Sequence, residues 1–436
     1  MKKEKINVVT LGCSKNTVDS EYLMAQLTAN GYDVVFDSND TDAKTVIINT
    51  CGFIGDAKEE SVDTILGFVN AKEAGLIERI FVFGCLSQRY RDELIAEIPE
   101  VDAFFGVTDL EEIVEAVGGQ WKPDLAAMRH LTTPAHYAYL KISEGCDRAC
   151  GYCAIPLIRG KHVSVPMEEL VAEAELLAAK GVKEMIVIAQ DTTYYGLDLY
   201  RERKLGELLR RLCRVEGIQW IRLHYAYPAQ FPDDVIGVMR DEPKICKYLD
   251  IPFQHVSDSQ LKGMRRGHTR AQAYALIDRL RVEIPGIAIR TTLLTGYPGE
   301  TEADFGELLE FVKKARFDRL GVFPYSEEEG THSALKLTDD VPEETKEERV
   351  EILMKAQSKI SLENNQRRIG TVEKVIVDRH EDGYWIGRTQ CDSPEVDQEV
   401  LIDASAPLVI GDFYTVRIIS AEDYDLSAEL IRPVLG

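Results

Sequence analysis

Glu144-Gly145-Cys146-Asp147-Arg148-Ala149-Cys150-Gly151-Tyr152-Cys153 sets three cysteines within eight positions, as C-x-x-x-C-x-x-C. Structural zinc takes four ligands, usually as two pairs. No second pair follows, and the next cysteine, Cys213, falls inside a helical pattern. Three thiolates on a short loop suit a 4Fe-4S cluster, which cysteine thiolates hold. Three thiolates for four irons leave one iron open, as a catalytic metal centre does.

The flanking sequence says where this loop sits. β-Branched runs recur at 138–142, 185–190, 220–225, 248–253, 287–294 and 320–325, with amphipathic stretches such as 167–180, 205–215, 270–282 and 302–315 between them. Strand-helix alternation predicts a parallel sheet. Six units are too few for an eight-fold barrel, so a partial (β/α)6 barrel or a curved open sheet is expected. The cysteine loop then lies at the C-terminal strand ends, where ligands bind in such folds.

Residues 6–116 alternate in the same way, with strands expected at 6–10, 45–49 and 79–83 and helices at 19–30 and 57–74. This predicts a separate N-terminal parallel α/β sheet. Residues 117–136 carry turn formers without periodicity and read as a linker. Residues 343–368 are polar and helix-prone. From Gly370 short β runs with turn residues predict a small antiparallel β-barrel. The expected domains are 4–119, 132–369 and 370–436.

The chain has 436 residues and a formal net charge of -23, from 51 Lys and Arg against 74 Asp and Glu. An acidic chain is a poor general binder of nucleic acid, because Lys and Arg supply that affinity. A basic partner fits better. No run reaches membrane-helix length, and the apolar stretch after the basic start, residues 6–12, is too short for a signal peptide. The cytoplasm is the expected compartment. The nine cysteines there are expected to be reduced, and clusters of them to serve as metal ligands or catalysts.

Cys13, Cys51 and Cys85 form a second set, in Thr-Leu-Gly-Cys, Asn-Thr-Cys-Gly and Phe-Gly-Cys-Leu. Their spacing matches no short metal motif. Each follows an expected parallel strand, and neighbouring parallel strands end on one edge of a sheet. Convergence on one site is therefore open, beside the alternative of three separately buried small hydrophobes.

C-x-x-x-C-x-aromatic-C, with Tyr152 as the aromatic, resembles the radical S-adenosylmethionine superfamily. Leu-Gly-Cys-Ser-Lys-Asn (11–16), Asn-Thr-Cys-Gly-Phe-Ile (49–54) and Gly-Cys-Leu-Ser-Gln-Arg-Tyr (84–90) resemble the N-terminal domain of the methylthiotransferases, in which that domain precedes a radical core and a TRAM barrel. The resemblance covers essentially the whole chain. It implies an enzyme, a sulfur-group transferase, with two 4Fe-4S clusters, one on Cys146, Cys150 and Cys153 as the catalytic centre and one on Cys13, Cys51 and Cys85. It implies S-adenosylmethionine as cofactor, near Tyr152 and near Gln190 and Asp191, which can equally cap the next element. It also implies an electron donor and a sulfur source. Ala154–Lys161 and Thr-Gly-Tyr-Pro-Gly-Glu-Thr (295–301) match family segments, although the latter is also an ordinary turn. Val165 stands where the family is expected to carry Arg.

Within the family, Gly-Cys-Ser-Lys-Asn-Thr-Val-Asp-Ser-Glu (12–21), Gln-Asp-Thr-Thr-Tyr-Tyr-Gly (190–196) and Phe-Pro-Tyr-Ser-Glu-Glu-Glu-Gly-Thr (323–331) resemble the branch that modifies an aspartate of ribosomal protein S-twelve. The transfer-RNA branch typically has Gly-Cys-Gln-Met-Asn at the first of these. The expected activity is methylthiolation of that aspartate's β-carbon. The alternatives are an adenosine of transfer RNA, or a non-enzymatic iron-sulfur or zinc protein. Charge points the same way. Residues 370–436 hold 14 acids and 5 bases, so the barrel should attract a basic protein and repel phosphate. His224 and His255 fall at strand ends, where a site role and a satisfied core role are both open. Cys213, Cys246 and Cys391 read as structural, and Glu327-Glu328-Glu329 as a solvated loop face.

Overall fold

The computed structural model describes residues 4–38, 42–125, 127–405 and 407–431. The basic start at residues 1–3 and the last five residues of the C-terminal segment lie outside the described residues.

The N-terminal sheet has five parallel strands in the order β2-β1-β3-β4-β5: β1 (Lys5–Thr10), β2 (Asp33–Phe36), β3 (Thr45–Thr50), β4 (Arg79–Gly84) and β5 (Ala103–Phe104). Alternate residues feed two cores. Ile6, Val8, Ile47, Phe81 and Phe83 pack on one face, and Val46, Ile48, Ile80 and Val82 on the other. Burial of both faces is what a parallel sheet covered by helices requires. The sequence pattern missed β2 and β5. One is a short edge strand and the other has only two residues, too little for a period to register.

The core is a six-stranded parallel sheet: β6 (Tyr137–Lys141), β9 (Glu184–Ile188), β10 (Trp220–Leu223), β11 (Ile245–Asp250), β12 (Ala288–Thr295) and β13 (Arg319–Pro324). The strands neighbour one another in chain order, from β6 at one edge to β13 at the other. A small ladder, β7 (Ser143–Glu144) with β8 (Val163–Ser164), closes the base of the cysteine loop. The outward faces of the strands join the helices in one large core.

The inward face is polar and aromatic, and the rest of the chain fills it. Val18, on the N-terminal helix Ser14–Ala29, packs with Tyr137, Tyr139, Ile186 and Ile188. The third unit fills the other end. Strands β14 (Val372–Glu381), β15 (Tyr384–Thr389), β16 (Glu399–Asp403), β17 (Phe413–Ala421) and β18 (Asp425–Leu430) form a closed barrel. Its loop after β15 enters the partial barrel. Arg222 donates to Gln390 O at 2.7 Å, Tyr248 to Asp397 Oδ2 at 2.7 Å and Tyr137 to Glu395 Oε1 at 2.9 Å. Arg290 pairs with Asp397 at 3.0 Å, and Arg319 with Asp392. The barrel joins on through acidic side chains, so seven of its fourteen acids (Glu373, Asp378, Asp392, Glu395, Asp397, Asp412 and Asp423) face partners in the core or at its edge. They are not free for a substrate, which corrects the reading of the whole barrel as an acidic docking face.

Two further expectations change. Residues 117–136 are no loose tether: Arg129 is buried and pairs with Glu21 of the N-terminal unit and, at 3.0 Å, with Glu173 of the core. The 327–329 run is not wholly solvated. Glu328 is 2% exposed and accepts the Ile54 N–H at 3.0 Å, Lys58 Nζ at 3.3 Å and the Arg89 guanidinium. A buried carboxylate requires such partners, and here they come from the N-terminal unit.

Candidate active site

The N-terminal cysteines occupy three adjacent strand ends. Cys13 follows β1 and precedes the helix Ser14–Ala29, Cys51 directly follows β3, and Cys85 opens the helix Cys85–Arg89 after β4. Glycine permits the approach. At Gly12, φ is +92°, and a Cβ there would stand 2.9 Å from Cys51 Cβ. A Cβ on Gly52 would fall 2.6 Å from the Cys85 carbonyl carbon. Asn16 ties the strand ends together, donating to Leu11 O at 2.8 Å and Thr50 O at 3.1 Å.

The core cysteines sit on the loop between β7 and β8. Cys146 N–H donates to Gly160 O at 3.1 Å, and Gly151 N–H to Met264 O at 2.9 Å. The Arg148 N–H points at Cys146 Sγ, 3.4 Å away. Arg266 donates to Cys150 Sγ at 3.4 Å and to Tyr152 Oη at 3.2 Å.

Both triads line one cavity of about 360 Å³. A salt-bridge network joins its walls. Arg159 donates from Nε to Cys85 Sγ at 3.4 Å, from Nη2 to Asn16 Oδ1 at 2.6 Å, and from Nη1 to Asp19 at 3.0 Å and Glu144 at 2.9 Å. Lys141 pairs with the same two carboxylates. Gln190 Nε2 donates to Glu144 Oε1 at 2.7 Å. The chain from Cys85 through Arg159 and Glu144 to Gln190 thus runs from one triad's wall to the strand end beside the other.

The donor set fits iron-sulfur ligation. Sulfur-directed N–H groups reach Cys85, Cys146 and Cys150, and such hydrogen bonds stabilise thiolate ligands and set cluster potential. Burial pushes the Cys85 thiol up to about 11 and the Cys146 and Cys153 thiols up to about 12. These are thiols that stay protonated and unreactive until a metal displaces the proton.

Of the residues singled out in the sequence, Tyr152, Gln190 and Asp191 line the same cavity. Asp191 is also bonded in place: Oδ2 pairs with Arg148 Nε at 2.7 Å, and Oδ1 caps the short helix Thr192–Tyr194. Tyr297 lies outside the cavity lining, donating to Gly263 O at 3.0 Å beneath the loop. His224 bonds Ser393 Oγ of the barrel at 3.0 Å, and burial together with Arg222 and Arg290 keeps it neutral. His255 is buried, accepting the Ser257 N–H at 3.0 Å. Neither lines the cavity; His224 takes the satisfied core role, whereas among the described residues His255 Nε2 has no hydrogen-bond partner and lies 3.6 Å from Glu300 Oε1. Val165 packs against the main core and gives its carbonyl to Tyr195 Oη at 2.8 Å; this departure does not reach the cavity lining. Cys213, Cys246 and Cys391 lie in apolar packing away from it.

Lys15, Arg148, Arg159, Tyr225, Tyr227 and Arg266 also line the cavity and were not singled out. Lys15, Arg148 and Arg159 stand within six residues of a ligand-type cysteine, a signal present in the sequence. Tyr225 and Tyr227 come from the segment after β10, and Arg266 from the segment after the helix Asp258–Gly263.

Three family models match successive parts of the chain. The uncharacterized protein family UPF0004 matches residues 5–106, the radical SAM superfamily residues 140–312, and the TRAM domain residues 369–431. The radical S-adenosylmethionine methyltransferase TsrM from Kitasatospora setae, solved with cobalamin and a [4Fe-4S] cluster, shares the fold at TM-score 0.55 and 14% identity, over 77% of each chain. The ribosomal protein uS12 methylthiotransferase RimO of Christiangramia forsetii is 58% identical over 98% of this chain and 95% of that protein. The RimO of Phocaeicola vulgatus is 55% identical over 99% of this chain and all of that protein. With more than half the residues identical along nearly the whole of both chains, this chain belongs to the family of ribosomal protein uS12 methylthiotransferases.

Proposed function

We propose that this chain attaches a methylthio group to the β-carbon of an aspartate in ribosomal protein uS12. The observation that carries the reading is that two cysteine triads, one at the strand ends of the N-terminal sheet and one on the core loop, line one cavity. Two 4Fe-4S clusters and S-adenosylmethionine, held there, supply the radical, the methyl group and the sulfur. Cys146, Cys150 and Cys153 would ligate the first cluster and Cys13, Cys51 and Cys85 the second. Tyr152, Gln190 and Asp191 would line the cofactor's place.

The chain itself supplies orientation and exclusion of water. Arg148 and Arg266, each stacked over Tyr227 at 4.0 and 4.4 Å, hold the core loop rigid against the cavity wall. Arg159, Asp19, Glu144 and Lys141 lock the N-terminal unit onto the core, so that the two triads keep a fixed separation. An adjoining cavity of about 500 Å³ shares Phe53, Tyr152 and Gln254 with the site, and its rim carries the exposed acids Asp56, Glu327 and Glu343. An acidic mouth suits a basic protein substrate. The nine cysteines are all free thiols, which suits a reducing cytoplasm, and an electron donor and a sulfur source complete the reaction.

The test is anaerobic reconstitution with purified uS12. The C146A/C150A/C153A variant is expected to form no deoxyadenosine. The C13A/C51A/C85A variant is expected to cleave S-adenosylmethionine and leave uS12 unmodified. Deoxyadenosine from the first, or methylthiolated uS12 from the second, would overturn the assignment.

A further inference from the structure

Lys15 stands two residues after Cys13, in the first turn of the helix Ser14–Ala29, and lines the cavity that both triads share. It is only 7% exposed. Its ammonium lies 3.0 Å from the centroid of the Tyr225 ring, across the junction between the N-terminal unit and the core. Among the described residues it makes no hydrogen bond and no ion pair. The other cations of the cavity are engaged: Arg148 by Asp191, Arg159 by Asp19 and Glu144, and Arg266 by Cys150 and Tyr152. Asp250, whose charge reaches Lys15, is taken up by the Tyr225 N–H at 3.3 Å and Arg290 at 3.7 Å.

An ammonium withdrawn from water without an anion is costly, and an aromatic face offsets only part of that cost. Tyr225 is itself strained. Its backbone is left-handed at φ +55°, a region that aromatic residues rarely occupy and that is held against its cost at functional sites. An unpaired buried cation over a strained aromatic, facing a cavity, is a site prepared for an anion that arrives with a ligand.

We propose that Lys15 binds the side-chain carboxylate of the substrate aspartate and thereby sets the preference for that residue. This rests on the substrate reading above. The carboxylate carbon is bonded directly to the β-carbon, so a cation that grips the carboxylate also fixes the carbon to be modified between the two triads. An asparagine in its place would offer one neutral acceptor and no charge. The carboxylate of S-adenosylmethionine has the same chemistry, and the experiment separates the two.

The reconstituted full-length enzyme is assayed with uS12, with uS12 carrying Asn at the modified aspartate, and without uS12 for uncoupled deoxyadenosine formation. Iron content and thermal unfolding show that each variant is folded and loaded. K15M, similar in length and uncharged, is expected to lower kcat/KM for uS12 by about 100-fold, the scale of losing one partner of a desolvated charge pair. K15R, which keeps the charge, is expected to recover most of that loss. The wild type should bind uS12 more tightly than its Asn form by fluorescence anisotropy, and K15M should bind the two alike. The S-adenosylmethionine concentration for half-maximal uncoupled cleavage should not move. Unchanged kcat/KM in K15M, equal wild-type affinity for the Asp and Asn forms, or a raised requirement for S-adenosylmethionine would each overturn the proposal, the last by assigning Lys15 to the cofactor. A wild type that leaves uS12 unmodified would overturn the substrate reading and this inference with it.

Discussion

Arg159 has the most consequential set of contacts in the site. One guanidinium serves the Cys85 thiol, Asn16 and two carboxylates. Burial alone would raise the Glu144 carboxyl, but Lys141 and Arg159 beside it hold it down to about 2. This pairing therefore stabilises the fold throughout neutral pH and is lost only as pH falls from the ordinary carboxylate range towards 2. R159M leaves Asp19 and Glu144 with Lys141 as their one cation among the described residues, and should cost about 3–5 kcal/mol, the scale of breaking a buried pair. Thermal unfolding measures it, and a variant as stable as the wild type would refute the network's role. The thiols give the opposite sign. Cys85, Cys146 and Cys153 have folded values above the ordinary 9. Their contribution to the metal-free chain is full below about pH 9 and is lost as pH rises through 11 and 12. The melting temperature of metal-free protein should fall over that window, and that of iron-loaded protein should fall less. At this scale the grouping of the six cysteines into two sets was legible, because loop spacing and strand-end position are sequence properties, and all six line one cavity. Lys15 was not legible in this way, because nothing in the sequence says that its ammonium lacks a partner.

Elements were legible where a period could accumulate. The six core strands lie within a few residues of their expected positions, and the polar stretch after Pro342 is the helix Glu343–Gln366. What failed was the connecting segments, whose composition hides their contacts. Residues 117–136 look like solvent-facing linker, yet they deliver Arg129 to Glu21 and Glu173. The 327–329 run looks solvated, yet its middle residue is buried. Ile54, just after Cys51, holds φ at +74°, a left-handed conformation costly for a β-branched residue. The Glu328 carboxylate anchors it through its N–H. E328A removes that anchor and leaves Arg89 without its buried partner. We expect a loss of about 3 kcal/mol and faster proteolysis at residues 52–58. Unchanged unfolding and cleavage would show that the contact is incidental.

On the scale of the whole molecule, the charge of -23 divides into two uses. Part of it is internal: acids of the C-terminal barrel hold that unit in the polar mouth of the incomplete core barrel. The rest faces outward, some of it around the cavity entrance. The sequence gives the total and its distribution along the chain, but only the packed structure tells a bonded acid from an available one. D56K/E327K at the entrance should raise KM for uS12 about 3- to 10-fold at low salt, and less at high salt, as screening predicts. D403K/E429K, on exposed barrel positions, should leave it near the wild-type value. Equal effects from the two pairs would return the docking face to the barrel. The central claim, that the two triads act on one substrate in one cavity, is tested most directly by mass spectrometry of uS12 from cells lacking this chain and complemented with each variant. The account predicts a methylthiolated aspartate with the wild type and an unmodified one with either triad replaced. Modified uS12 with the C13A/C51A/C85A variant, or unmodified uS12 with the wild type, would contradict it.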